Sequence, residues 1–339
     1  MPRRSGRVTI RDVAEATGLS QAAVSYAMRG LQVSEETAAR VRQAAADLGY
    51  EANPVARALV SGRTGIVGVL WASLADQWQS QTVVALGAAL LGEDRFAIVL
   101  DSGGDPAHEE RLVRRLVEQR VDALVLSPVD PAAAFWADVA DRVPLVVVGD
   151  ALPGARTAGE VVFDNRAGVT LALEHLAGLG HHRVGVLTPT RPSTPDRPGD
   201  VHVAAEAARL GLEVTIASAT HALDDAAAVA HGLLEVPARA RPTALFCFSD
   251  SIAHGAYAAA AGLGLAVPGD VSVLGYDARP VSRVLSPALT TVDWDTAAIV
   301  ASTARLVVAA LDGEPRRRRV VRRPVLLEGG STAAPRRRR

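Results

Sequence analysis

The sequence predicts a small all-α head followed by an α/β core of two similar lobes, each built around a doubly wound parallel sheet. Three observations carry this. The first fifty residues show capped helical periodicity broken by a tight glycine turn. From Gly65 onward, short Val/Ile/Leu runs alternate with longer Ala-rich helical stretches, the pattern of parallel strands covered on both faces. The alternation runs through two sets, Gly65 to about Phe163 and Asp164 to about Leu289, one for each lobe.

In the head, Thr9 is a good N-cap and Asp12 places a carboxylate in the first turn, close to a capping box. Ile10, Val13, Ala14 and Thr17 make one buried stripe, and Gly18 suits the left-handed turn that ends the helix. Ser20 caps a second helix whose Ala23, Val24 and Ala27 face inward. Gln21, Ala22, Ser25 and Tyr26 therefore face out, and Gly30 stops the helix. A third helix starts near Ser34, carries Glu35 and Glu36 in its first turn, buries Val41, Ala45 and Leu48, and ends at Gly49. Two short helices about a Gly turn have the layout of a helix-turn-helix, whose second helix enters the DNA major groove.

A partnerless three-helix bundle fits the same pattern, and charge does not separate the two readings. Through Gly62 there are eight arginines against six carboxylates, a mild attraction to phosphate. The segment after the head does separate them. Asn53 is an N-cap, Pro54 suits the first helical position, and Ser61-Gly62 closes the stretch. A helix of about two turns is marginal in water, so this one requires a symmetry mate or a DNA groove to hold it.

In the core the expected strands are Ile66–Leu70, Phe96–Leu100, Ala123–Leu126, Leu145–Val148, Val184–Leu187, Val214–Ala217, Ala244–Phe246 and Val271–Leu274. The single cysteine, Cys247, lies in the apolar run Leu245-Phe-Cys-Phe248 and reads as a buried structural thiol. Every one of the 36 basic residues is arginine. No apolar run follows Met1-Pro-Arg-Arg and none could span a bilayer, so a cytoplasmic protein without a membrane partner is expected. There is no Gly-x-Gly-x-x-Gly after the first strand, no Walker sequence, no metal-spaced Cys/His set and no Gly-x-Ser-x-Gly elbow. An enzyme, a metal and a cofactor are therefore not expected. The adjacent His181 and His182 precede a strand and do not share a helix face.

Val8-Thr-Ile-Arg-Asp-Val-Ala14, Gly18-Leu-Ser20, Val24-Ser25, Val33-Ser-Glu-Glu-Thr37, Leu48-Gly-Tyr50 and Asn53-Pro-Val-Ala-Arg-Ala-Leu59 together resemble the LacI/GalR family of transcriptional regulators in order and spacing. The resemblance implies a homodimeric, ligand-responsive repressor on a palindromic operator in double-stranded DNA. It implies base contacts from Gln21, Ala22 and Tyr26 and phosphate contacts from Thr9, Ser20 and Ser25. It implies a minor-groove hinge helix that includes Asn53 and Ala56, with Leu59 as its wedge. Arg29 stands where family members often carry Asn.

For the core, the resemblance implies a periplasmic-binding-protein-like fold with three crossings between lobes and a small-molecule effector, sugar-like or nucleoside-like, in the cleft. The implied segments are 1–52 for the head, 53–62 for the hinge, 63–163 with about 292–318 for the first lobe, and 164–291 with about 319–330 for the second; 331–339 is expected to be a disordered Arg-rich tail. The candidate cleft residues are Trp78, Asp164, His221, Asp250, Asp277 and Trp294. Asp164 or Asp277 could instead only cap a helix, and Trp78 or Trp294 only fill the lobe interface. Many family members carry an Arg that grips the ligand, and in register that position falls on Gly199; Arg191 or Arg197 are the nearby substitutes. Without the head, the core would read as a small-molecule receptor that controls no DNA.

Overall fold

The computed structural model describes residues 8–28, 33–50, 62–190, 201–313 and 318–336. The chain divides into two compact units, Met1–Thr64 and Gly65–Arg339.

The first unit contains α1 (Ile10–Thr17), α2 (Gln21–Met28) and α3 (Glu35–Leu48). The Asp12 carboxylate accepts the Thr9 N–H at 2.7 Å and the Thr9 hydroxyl at 2.8 Å. Gly18 and Gly49 end α1 and α3 at φ 65°, a left-handed conformation that glycine adopts without a Cβ penalty. Ser20 Oγ accepts the Ala23 N–H and Ser34 Oγ the Thr37 N–H, so α2 and α3 are also capped. Val13, Ala14, Val24, Ala27, Val41 and Ala45 form the shared core. Leu48, expected inside, is 39% exposed, because Tyr50 packs against that core from beyond the glycine turn.

The second unit holds two six-stranded sheets. The first is ordered β11-β5-β4-β3-β1-β2, from β1 (Ile66–Trp71), β2 (Phe96–Asp101), β3 (Ala123–Leu126), β4 (Leu145–Gly149), β5 (Gly159–Phe163) and β11 (Arg318–Arg322); all its pairings are parallel. The second is ordered β12-β10-β9-β8-β6-β7, from β6 (Arg183–Pro189), β7 (Glu213–Ala219), β8 (Ala244–Cys247), β9 (Ser272–Tyr276), β10 (Thr290–Asp293) and β12 (Val325–Leu327). Among the described residues, only β10 and β12 pair antiparallel here. The helices that matter below are α4 (Gln77–Gly92), α5 (Pro106–Glu118), α7 (Asn165–Gly178), α9 (Leu223–Leu234), α10 (Asp250–Gly262) and α11 (Thr296–Leu311). The shorter α6 (Phe135–Ala140) and α8 (Val203–Leu210) are the other α-helices of this unit among the described residues. Central strands are buried along their whole length, as continuous apolar runs covered on both faces must be.

All eight expected strands are present; five are one residue longer than their apolar runs, β6 and β7 are three residues longer, and β3 is the same length. Four others, β5, β10, β11 and β12, adjoin the crossings between lobes. Their sequences, Gly-Glu-Val-Val-Phe, Thr-Thr-Val-Asp, Arg-Arg-Val-Val-Arg and Val-Leu-Leu, are too short or too polar to stand out by composition.

The crossings also shift the expected boundaries. β10 keeps Thr290–Asp293 in the second lobe, so the chain leaves it at Trp294-Asp295. β11 pairs with β5 through Arg322 in the first sheet, so the final crossing falls at Arg323-Pro324 rather than at 318–321. Residues 331–336 are not a loose tail. Ser331 is fully buried; its hydroxyl donates to the Val273 carbonyl at 2.5 Å and accepts the Thr290 N–H at 2.8 Å. Thr332 bonds His175, and Ala333 exchanges bonds with the Ser272 hydroxyl. Buried backbone polar groups at the base of the second sheet are paired by this segment.

Candidate functional site

On the head, α2 buries Val24 and Ala27 and leaves Gln21, Ala22, Tyr26 and Met28 exposed, with Ser25 half-buried. Thr9 and Ser20 lie exposed at the starts of α1 and α2 and serve as caps. The outer face is small and polar apart from Tyr26 and Met28, which suits insertion between base edges. Arg29, Asn53, Ala56 and Leu59 lie outside the described residues, as do Arg191, Arg197 and Gly199.

Between the lobes, the strand ends bring together side chains far apart in sequence. Asp76, buried, caps α4 by accepting the Gln79 N–H at 3.0 Å. Its Oδ2 lies 3.2 Å from Nε2 of His221, which belongs to the second lobe. Nδ1 of that ring lies 3.2 Å from Ser249 Oγ. Ser249 Oγ already accepts the N–H groups of Ser251 and Ile252, so its own proton points to His221 Nδ1 and leaves Nε2–H facing Asp76. Asp76, His221 and Ser249 thus form a chain of contacts from the first lobe to the α10 cap of the second.

Asp250 does not face a ligand. It is fully buried and accepts four bonds: Tyr276 N–H at 3.0 Å and Thr291 hydroxyl at 2.6 Å on Oδ1, Arg279 N–H at 2.8 Å and Ser282 hydroxyl at 2.7 Å on Oδ2. Gly275 makes room for it: a Cβ there would lie 2.3 Å from Asp250 Oδ1 and 2.7 Å from Leu289 Cδ2. This buried carboxylate sets the β9 and β10 ends in register.

Asp277 is different. It is half-buried and accepts the Asp250 N–H on Oδ2 at 3.2 Å; its other oxygen has no hydrogen bond among the described residues. Burial, then the Asp76 and Asp250 carboxylates, push its carboxyl well above the usual range; the Asp250 N–H and Arg279 only partly oppose this. A carboxylate in that position gains from any donor brought between the lobes.

The remaining candidates have structural work. Asp164 caps α7 through the Ala167 N–H and lies 3.9 Å from Arg323, at the first and third crossings. Trp78 is buried, donates from Nε1 to Thr296 Oγ1 at 3.0 Å, and meets Phe163 edge-on. Phe163 packs on Trp294 at 5.2 Å, Trp294 on Tyr276 at 5.6 Å, and Tyr276 on Phe248 at 5.2 Å. These five rings make a continuous aromatic path from the first lobe into the second. Gly168 lets it pass: a Cβ there would lie 2.2 Å from Tyr276 Oη. His181 is sandwiched between the Thr243 and Ser272 hydroxyls at 2.8 and 3.1 Å, which uses both ring nitrogens.

Sequence reasoning missed Asp76 and Arg279. Asp76, three residues before Gln79, carries only a helix-cap signal, and nothing in its own segment points to His221. Arg279 is buried with Nη1 donating to Ser251 Oγ at 2.7 Å, a contact visible only once β9 and α10 are adjacent.

A helix-turn-helix head on a two-lobed core with a polar cleft defines the class of DNA-binding regulators built on a binding-protein scaffold. Residues 9–53 match the family of bacterial regulatory proteins of the lacI type, and residues 173–332 match the periplasmic binding protein-like domain. The ribose operon repressor of Haemophilus influenzae is 30% identical over 298 residues, covering 84% of this chain and 86% of that protein. The HTH-type transcriptional regulator GalS of Salmonella typhimurium is 28% identical over 312 residues, covering 90% and 91%. The lac repressor dimer bound to operator and the anti-inducer ONPF has the same fold, with a TM-score of 0.84 at 24% identity, covering 97% of this chain and 100% of that one. The chain belongs to the LacI family and is a DNA-binding transcriptional regulator. No helix among the described residues is long and apolar enough to cross a membrane.

Proposed function

We propose that the chain acts as a homodimeric repressor on a palindromic operator, with affinity set by a small molecule seated between the lobes. Gln21, Ala22 and Tyr26 read base edges, while Thr9, Ser20 and Ser25 hold phosphates. Asn53, Ala56 and Leu59 act in the minor groove on the strength of the family likeness alone. The observation that carries the effector reading is Asp277, a half-buried side chain whose Oδ2 accepts the Asp250 N–H at 3.2 Å and whose other oxygen has no hydrogen bond among the described residues. Hydroxyl or N–H groups of a ligand supply what it lacks. Asp250, Asp164, Trp78 and Trp294 shape the cleft rather than touch the ligand directly.

A second copy of the chain fits the free edge of the first sheet. On β2, Phe96, Ile98 and Val99 are exposed, and Val84 and Leu91 of α4 stand beside them, at 73% and 57% exposure. An apolar edge strand of this kind is an association surface, and two-fold pairing places two heads on two half-sites.

The test uses the intact protein and DNA upstream of its own coding region. A mobility shift at low salt, altered by one member of a panel of sugars, nucleosides and small metabolites, is expected. Asp277→Asn should keep the shift and lose the response. Folded protein that shifts no such DNA overturns the operator reading; a response that survives Asp277→Asn overturns the effector site.

A further inference from the structure

We propose that Arg279 is an anion-binding residue of the cleft, and that the effector is a hydroxyl-bearing metabolite that also carries a carboxylate or a phosphate. The inference rests on the reading that a small molecule sits between the lobes, and it names that molecule's charge.

A guanidinium taken out of water keeps its charge and needs acceptors around its fork, so arginine is rarely buried without a carboxylate beside it. Arg279 is 7% exposed and makes no ion pair among the described residues. Its side chain makes one hydrogen bond, from Nη1 to Ser251 Oγ at 2.7 Å, and its buried Nε has no acceptor.

The groups around it do not fill the gap. Both oxygens of Asp250 are taken, by Tyr276 and Thr291 on one side and by Ser282 and the backbone N–H of Arg279 itself on the other. Asp277 meets the guanidinium only through space, and its Oδ2 accepts the Asp250 N–H. Burial first, and then Asp76 and Asp250, push that carboxyl up, which makes it an incomplete countercharge. His254 is no acceptor for the fork either: burial lowers its pKa, and its Nε2 lies 3.1 Å from Ser282 Oγ.

Position agrees with charge. Arg279 stands two residues past Asp277 at the carboxyl end of β9, and Ser251 stands in the first turn of α10, at the carboxyl end of the adjacent β8. Ligands of open parallel sheets bind outside those strand ends. Ser249 Oγ accepts the Ser251 N–H and bonds His221, which meets Asp76 of the first lobe, so this corner borders the junction between lobes. The Ser251 hydroxyl accepts from Arg279 and keeps its own proton to donate. α10 adds the positive end of a 13-residue helix, although the N–H groups of Asp250, Ser251 and Ile252 are already held by Asp277 and Ser249. An oxyanion there takes its bonds from guanidinium and hydroxyl, while hydroxyls of the same molecule reach the Asp277 oxygen that has no hydrogen bond.

The experiment titrates the intact protein with sodium phosphate and with sodium acetate at constant ionic strength, and then with matched sets: glucose, gluconate and glucose 6-phosphate, and ribose and ribose 5-phosphate. Tm and operator affinity are followed together. Phosphate or acetate should raise the Tm saturably, and which of them does so separates a phosphorylated from a carboxylated effector. A charged sugar should act at about ten- to a hundredfold lower concentration than its neutral counterpart. Arg279→Gln should erase both effects, and Arg279→Lys, which keeps the charge without the fork, should restore part of them. Ser251→Ala, which removes only the hydroxyl that orients the guanidinium, should weaken the same anion, so the result does not hang on one variant folding. Anions that stabilise the parent and Arg279→Gln alike, or that stabilise neither, overturn the proposal. A neutral sugar that acts equally on both proteins, with no charged member preferred, overturns it too and leaves the cleft reading standing. An anion bound through Arg279 that never alters operator affinity upholds the site and counts against the effector reading instead.

Discussion

Asp250→Asn is the sharpest test of how the second lobe holds its cleft. The substitution keeps the shape and removes one acceptor oxygen. Two of the four donors to Asp250, Thr291 and Ser282, are hydroxyls that can rotate away from a new NH2 group; the other two, Tyr276 N–H and Arg279 N–H, are fixed in the backbone, one on each oxygen. Whichever way the amide turns, one buried N–H faces an NH2 group. Leaving a buried donor unpaired costs about 1–3 kcal/mol, and exchanging charged for neutral hydrogen bonds adds about 1–2 kcal/mol. The sum, about 2–5 kcal/mol, corresponds to roughly 4–20 °C in Tm for a domain of this size. Differential scanning calorimetry of the intact protein, with urea unfolding as a second measure, reads it directly. A variant within 1 °C of the parent would show that the four bonds do not organise β9 and β10, and would reopen a ligand-facing role for Asp250.

Three further outcomes follow from the same structure. Burial raises the Glu109 carboxyl to about 7 even though it accepts the Val129 and Asp130 N–H groups. The fold therefore favours its protonated form and loses stability as pH rises from 4.5 to 7; Glu109→Gln should gain on the parent across that window by up to about 3 kcal/mol in urea unfolding, and a constant difference would contradict this. Burial lowers His181 to about 4, so its contribution is complete above 6.5 and is lost as pH falls toward 4. Protection of the Ala333 amide, measured against the intrinsic exchange rate at each pH, should fall in that range, because Ser272 joins the ring to this segment; unchanged protection would sever the link. Tyr26→Ala should relax base preference at one operator position by about 1–3 kcal/mol in a binding-site selection, with preserved preference removing Tyr26 from the reader set.

The head was the most legible part of the chain, because caps and glycine stops are local: Thr9, Asp12, Gly18, Ser20, Ser34 and Gly49 act within a few residues of themselves. The central strands were legible because both faces are buried and the apolar run is continuous. The crossing strands were not, since β11 is three arginines around two valines and gains its identity only from pairing with β5. The cleft was half legible. The residue types at Asp250 and Asp277 stood out equally, but only the fold tells the saturated carboxylate from the unsatisfied one. The anchoring of Ser331, Thr332 and Ala333 depends on partners 41 to 157 positions away, which no local pattern encodes.

The Asp76–His221–Ser249 chain joins the two lobes before any ligand arrives and so favours their closed arrangement. A ligand reaching Asp277 from one lobe and Asp76 from the other binds the closed form, so its apparent affinity scales with the fraction already closed. Asp76→Asn separates the two duties of this residue. Asn caps a helix as well as Asp, so α4 and its Gln79 bond survive, while the charge facing His221 is removed. Loss of one partly exposed contact of this kind is worth about 0.5–1 kcal/mol, or two- to fivefold in closed fraction. The variant should therefore melt with the parent yet need two to five times more effector for half-maximal release from, or recruitment to, the operator. An unchanged or lower midpoint would mean that the contact blocks the cleft rather than preparing it, and that the ligand must break it to enter.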